Sequence, residues 1–283
     1  METTALLGVA AGLLVLGAAL VGAWRARGST AVPACWWAVA AGVALAIERF
    51  NAPGADPGAA ACRRLALVAL GVCPALSLLG AKRPQHGVWQ AIVATAAIVI
   101  ALPAATAALV RPGTVPDVSV VLRVLVAGMI LVGWLNHAAT RRGMAATAIA
   151  GGQLLLALPC LVGFDDRGAS GQRDTAAALV IGVAAMAAAV WPARRGLKPV
   201  DAAWSAFRET FGAAWALRVA ERVDAVGRER GWSRRLGWQG WEMADGGETS
   251  DDGDSRRLFM AIVRRFVSAG WLSRHGLPPR GRW

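Results

Sequence analysis

Apolar positions run in blocks of about twenty residues through the first two thirds of the chain, then thin out into a single stripe. The blocks occupy roughly 5–24, 31–47, 61–80, 88–110, 118–136, 144–164 and 175–191. About 17–25 apolar residues span a bilayer as a helix. Within hydrocarbon each backbone N–H and C=O needs an internal partner, so these blocks are expected to be α-helices. The second and the last are the shortest, which leaves the count at six or seven. The pattern predicts an all-α integral membrane protein: a transmembrane bundle over 1–195, followed by a small, mainly helical cytoplasmic domain over 196–283.

The connections carry the orientation. Arg25 and Arg27, Lys82 and Arg83, Arg141 and Arg142, and Arg194 and Arg195 follow the first, third, fifth and seventh blocks. The opposite connections mix Arg49, Arg63, Arg64, Arg111, Arg167 and Arg173 with Glu48, Asp56, Asp117, Asp165, Asp166 and Asp174. With Lys198 this is nine Lys and Arg on one side against six on the other. The positive-inside rule then puts the N-terminus outside and the tail in the cytoplasm of a multi-pass inner-membrane protein. "VGA" at 21–23 could pass for a signal-peptide cleavage box. However, "METT" carries an acid and no Lys or Arg, and "WRAR" follows, so the first block is expected to stay as a helix.

Beyond "KPV" at 198–200 the period changes. Trp204, Phe207, Phe211, Trp215, Val219, Val223 and Val226 recur every three or four residues, which predicts a helix over 201–229 with one apolar face and Asp201 as its N-cap. Residues 201–230 hold five acids and five bases. A lipid-surface helix normally carries a basic polar side, so the stripe Trp204, Phe207, Phe211 and Trp215 is expected to face a core or another protein. A second helix, 255–269, places Leu258, Phe259, Ile262, Val263, Phe266 and Val267 on one face. Its Arg256, Arg257, Arg264 and Arg265 leave two uses open: packing on the first tail helix, or contact with the inner leaflet. A short extended segment is expected within 234–243. The 244–254 stretch reads as an acidic loop; as a calcium loop it fails, because Phe259 stands where the bidentate Glu belongs.

Composition sharpens this division. The chain is 56% hydrophobic and only 17% charged, against roughly 25% charged in soluble domains. Its net charge of +12 does not suggest nucleic acid, because the basic residues flank apolar blocks or alternate with acids and no nucleic-acid motif is present. Cys35, Cys62, Cys73 and Cys160 lie in or near apolar blocks without a C-x-x-C, as buried small residues do. The bias toward Arg over Lys suggests a GC-rich, bacterial coding sequence. Gly8 and Gly12 have the G-x-x-x-G spacing of close helix contacts, which so Ala- and Gly-rich a chain also produces by composition alone. Pro74, Pro103 and Pro159 are expected to kink three helices.

Candidate chemistry within the membrane is sparse. Arg123 lies shallow in the fifth block, where it can snorkel to the headgroups or hold an anion. Gln153, near mid-depth, is expected to bond a neighbouring helix. No histidine lies deep in a block, which excludes a bis-histidine haem, and Cys73-Pro74 has no nearby second thiol. Walker, nucleophile-elbow and zincin motifs are absent, so no catalytic residue, metal site or cofactor is expected. The expectation is a non-catalytic membrane component (scaffold, assembly factor or sensor-like) that contacts lipid and binds a protein partner through its Trp/Arg-rich tail. The alternative is a small-solute permease or a transporter's membrane subunit, with Gln153, Arg123 and the prolines lining the path. A lipid-acting membrane enzyme using Arg123 ranks last.

Overall fold

The computed structural model describes residues 3–50, 56–162, 170–192, 196–243 and 252–277. Most of the acidic loop (244–251, with Glu248 and Ser250), the loop residues Asp165, Asp166 and Arg167, and the Arg194–Arg195 pair lie outside the described residues.

Seven helices come first: α1 (Thr3–Ala26), α2 (Val32–Phe50), α3 (Pro57–Leu79), α4 (His86–Val110), α5 (Val120–Ala138), α6 (Gly143–Val162) and α7 (Ser170–Val190). Six of them are long and apolar enough to cross a bilayer, and α2 has a shorter apolar stretch, Val32–Glu48. The chain is mostly helical and has the spans of a multi-pass membrane protein. Two helices, α3 and α7, start about a turn or more before the apolar pattern suggests. At α3, Asp56 accepts the Ala59 N–H at 3.1 Å and Pro57 occupies the first turn, where a proline costs no hydrogen bond. At α7, the polar residues before Thr175 continue the helix outward.

The helices form a ring. α1 packs on α2 and α7, α2 on α3, α3 on α5 and α6, and α6 on α5 and α7, while α4 lies outside against α3. Glycine sets the spacing at the α1–α2 contact. A Cβ on Gly12 would come within 2.8 Å of the Ala46 backbone, and one on Gly42 within 2.9 Å of the Leu16 nitrogen. Gly12 is thus used inside the chain. Leu109, Val121 and Val124 point outward and are exposed, as lipid-facing side chains are.

The tail comprises α8 (Pro199–Glu229), a hairpin of β1 (Arg234–Leu236) and β2 (Trp241–Met243), α9 (Asp252–Val263) and α10 (Ala269–Arg274). Arg234 pairs with Met243, Arg235 with Glu242 and Leu236 with Trp241, which resolves the expected extended segment into two antiparallel strands. The helix expected over 255–269 stops at Val263. Val267 leaves the helical path to form an antiparallel bridge with Ser29, and Ser268 Oγ accepts the Trp271 N–H at 3.3 Å to start α10. The helix expected over 201–229 is interrupted at Gly212, where φ is 77° and ψ is −173°.

Candidate functional site

The ring surrounds a cavity of about 320 Å³, the lower end of the range for small-molecule pockets. It is walled by α1, α2, α3, α5, α6 and α7 but not α4, and its lining is mostly apolar, including Leu45, Val72, Ile130 and Leu156. Gln153 faces it from α6. Its Nε2 donates to the Gly71 carbonyl of α3 at 2.7 Å, close to Pro74, which also lines the space. The expected helix–helix bond of Gln153 is therefore present, and the same amide is the polar group of the cavity's middle.

One end of the cavity lies toward an ion pair. Arg64 of α3 reaches across to Asp174 of α7, with Nε at 3.0 Å and Nη2 at 2.6 Å from the same carboxylate oxygen. Both side chains are largely buried, and the pair stands about one turn beyond Leu67 of the cavity wall. Arg123 is not part of the lining. Its Nε donates to the Val118 carbonyl at 2.9 Å, so the side chain folds back toward the start of α5, the direction in which a shallow arginine snorkels.

The other end of the cavity lies over the tail. His137 and Arg142 line it there. Burial pulls the Arg142 guanidinium below its usual pKa; Glu209 nearby opposes the shift and Arg25 adds to it. Glu209 belongs to α8, and its Oε1 accepts the Arg141 backbone N–H at 3.3 Å and Arg208 Nη2 at 3.2 Å. One residue before His137, Asn136 joins the bundle to α8 with two bonds. Its Nδ2 donates to the Phe211 carbonyl at 3.2 Å, and its Oδ1 accepts the Ala214 N–H at 2.9 Å. The amide thus bonds on both sides of the break in α8. A Cβ on Gly212 would lie 2.3 Å from Asn136 Nδ2, and the positive φ already favours glycine there. Trp215 Nε1 adds a bond to the Leu78 carbonyl at 2.8 Å. α8 therefore meets Leu78, Asn136 and Arg142 around one mouth of the cavity.

The aromatic stripe supplies the mass of this join. Trp204, Phe207 and Phe211 are fully buried and Trp215 nearly so. They cluster with Phe259, Val263, Phe266 and Trp271 of the tail and with Ala26, Ala31 and Ala81 of the bundle's tail-side connections. Phe266 is central, edge-on to Phe207 at 5.2 Å, Phe211 at 5.4 Å and Trp215 at 4.9 Å. The stripe faces this chain's own core, so none of these four side chains is presented to another protein. The half-buried Trp232, Trp238 and Trp241 around the hairpin pack at the edge of that core.

No family model, curated protein or solved structure matches this chain. The geometry is therefore the basis for any functional reading. Among the described residues no group of three or more His, Cys, Asp or Glu could hold a metal ion, and all four cysteines are unpaired thiols.

Sequence reasoning missed two members of this arrangement. The Arg64–Asp174 pair joins residues 110 apart, which no local period reveals. Gly212 had a signal: it is a glycine in the middle of a strong helical stripe, where helix propensity disfavours it.

Proposed function

We propose that the protein is a non-catalytic component of a bacterial inner membrane, with seven membrane helices, the N-terminus outside and the tail in the cytoplasm. In this reading the tail is a rigid cap on the bundle that binds a protein partner. The carrying observation is the docked core: α8 bonds Leu78, Asn136 and Arg142 while burying its aromatic stripe. A tail held this way can transmit a change between partner and bundle. Its partner surface would draw on exposed and half-buried groups of the tail: Arg230 lies over Trp232 and Arg234 over Trp241, and Leu217 is exposed. Aromatic residues and arginine are what interfaces enrich.

The test is affinity capture with three chains: the intact protein, one ending at Lys198, and a Leu217→Asp/Arg230→Glu double variant. Partners recovered only by the intact chain support the reading. The same partners from all three overturn it.

The cavity favours a second reading, a permease for a small apolar or neutral solute. Gln153 would be its contact at mid-depth. Reconstituted vesicles would then show uptake that Gln153→Ala abolishes and Arg123→Ala, which lies off the lining, leaves intact. Uptake unchanged by Gln153→Ala removes that path.

A further inference from the structure

The first connection, the third connection and the turn after α9 are sewn together by backbone hydrogen bonds. Thr30 N–H donates to the Phe266 carbonyl at 2.8 Å, Ser268 N–H to the Gly28 carbonyl at 2.6 Å, and Arg83 N–H to the Arg265 carbonyl at 3.0 Å. The Arg274 guanidinium donates to the Arg27 carbonyl. This seam gathers Arg27, Arg83, Arg265 and Arg274 from segments far apart in sequence. All four side chains are exposed. Among the described residues none of them forms an ion pair with a carboxylate. By contrast Arg257, on the preceding helix, is paired with Asp254.

The seam also has a definite depth. It follows directly from the ends of α1 and α3, where apolar helix gives way to polar connection. Trp24, Trp36 and Trp191 lie exposed at the same end of α1, α2 and α7, and tryptophan is enriched at the level of lipid headgroups. Trp24 carries Arg27 over its ring at 4.7 Å. Main-chain bonds thus bring four exposed cations to the end of the bundle that carries these tryptophans, and among the described residues none of the four pairs with a carboxylate.

We infer that this seam is a binding surface for anionic phospholipid headgroups of the leaflet on the tail side. Because the headgroups would bridge the two connections and the α9–α10 turn, their binding also stabilises the docked tail. Each basic residue near an anionic surface contributes roughly a fivefold gain in binding. The inference does not depend on a protein partner or on transport.

Thermal unfolding of the purified protein in neutral detergent tests it, with phosphatidylglycerol, phosphatidylcholine or inorganic phosphate added. Phosphatidylglycerol is expected to raise the unfolding midpoint, with phosphatidylcholine and inorganic phosphate leaving it unchanged. The rise should vanish in high salt and in an Arg27→Gln/Arg83→Gln/Arg265→Gln/Arg274→Gln variant. It should persist in a control neutralised at Arg218, Arg222, Arg228 and Arg230. Equal rises with both lipids, a rise indifferent to salt, or an equal loss in the control variant would overturn the inference. Should the fourfold variant fail to fold, the wild-type comparison of lipids and salt decides alone.

Discussion

The two buried interiors of this molecule are built from different materials. The central cluster of the bundle is Leu65, Val68, Ala69, Val72, Ile100, Ala104, Ala150 and similar residues, with no fully buried aromatic. The tail core is Trp204, Phe207, Phe211, Phe259, Phe266 and Trp271. The difference fits the proposed arrangement, in which lipid surrounds the bundle and water the tail. Lipid tails are as apolar as leucine, so helices there associate by close contact, and small residues such as Gly12 and Gly42 provide it. A segment that must fold against water gains from burying large apolar area, and aromatic side chains supply the most per residue. The tail core is thus rich in aromatic side chains, and it borrows Ala26, Ala31 and Ala81 from the end of α1, the connection after it and the connection after α3.

The contrast can be broken most forcefully at Phe207. Phe207→Ala is expected to cost about 3–5 kcal/mol, enough to release the tail. Limited proteolysis should then cut within 199–277 while the bundle stays intact; simultaneous digestion of both would mean that the two interiors are one cooperative unit. Next comes the join. Gly212→Ala puts a side chain at a φ of 77°, worth about 1–3 kcal/mol of strain, and drives a carbon into Asn136. Hydrogen exchange at the Ala214 amide should accelerate. If Asn136→Ala leaves that exchange unchanged, the amide bond is not what holds the break.

Within the bundle, size is the variable to test. Gly12→Leu overfills the α1–α2 contact and should destabilise the detergent-solubilised protein by about 1–3 kcal/mol. Gly128→Leu should be near neutral, because nothing lies within 4 Å of a Cβ there. Equal effects would show that close packing is not the organising feature.

The smallest expected effect is a pH dependence confined to the tail. His275 stacks on Trp271 at 3.9 Å, and its Nδ1–H donates to the Trp271 carbonyl at 2.8 Å. Burial lowers its pKa below the usual 6.5; Arg274 lowers it further, and the bond to Trp271 opposes the shift. The unfolded imidazole therefore takes up a proton first. Tail stability should fall as pH drops through about 6.5 and be insensitive to this group above it. His275→Gln should flatten that slope in a melting series; an unchanged slope assigns it to another group.

How much of this was legible beforehand depended on the range of each signal. The apolar blocks mark the helices because twenty consecutive residues carry the message. The stripe marks α8 because its period repeats over many turns. Helix ends were less legible: Asp56 and Pro57 act through one cap, and Val267 leaves its helix only because Ser29 is opposite it. Of the candidate positions, Gln153 has the helix contact its polarity in an apolar block implied. Arg123 proved to be bonded to its own helix start. Trp204, Phe207, Phe211 and Trp215 lie in one buried cluster, and what they face is set by residues from four separate segments. The cavity had no local signal at all, because six helices line it jointly.

The bridge between Ser29 and Val267 has a consequence for synthesis. Thr30 and the Phe266 carbonyl it bonds are 236 positions apart. A growing chain makes its first two helices while the partner of the connection between them does not yet exist. The Thr30 N–H and Gly28 carbonyl must therefore remain with water, or with a helper, until more than two hundred further residues have been made. Closing so long a loop is among the slowest kinds of contact to establish. One of the first segments made thus waits for one of the last to complete its backbone bonds, and a ribosome stalled before residue 266 leaves all seven helices made with an open seam.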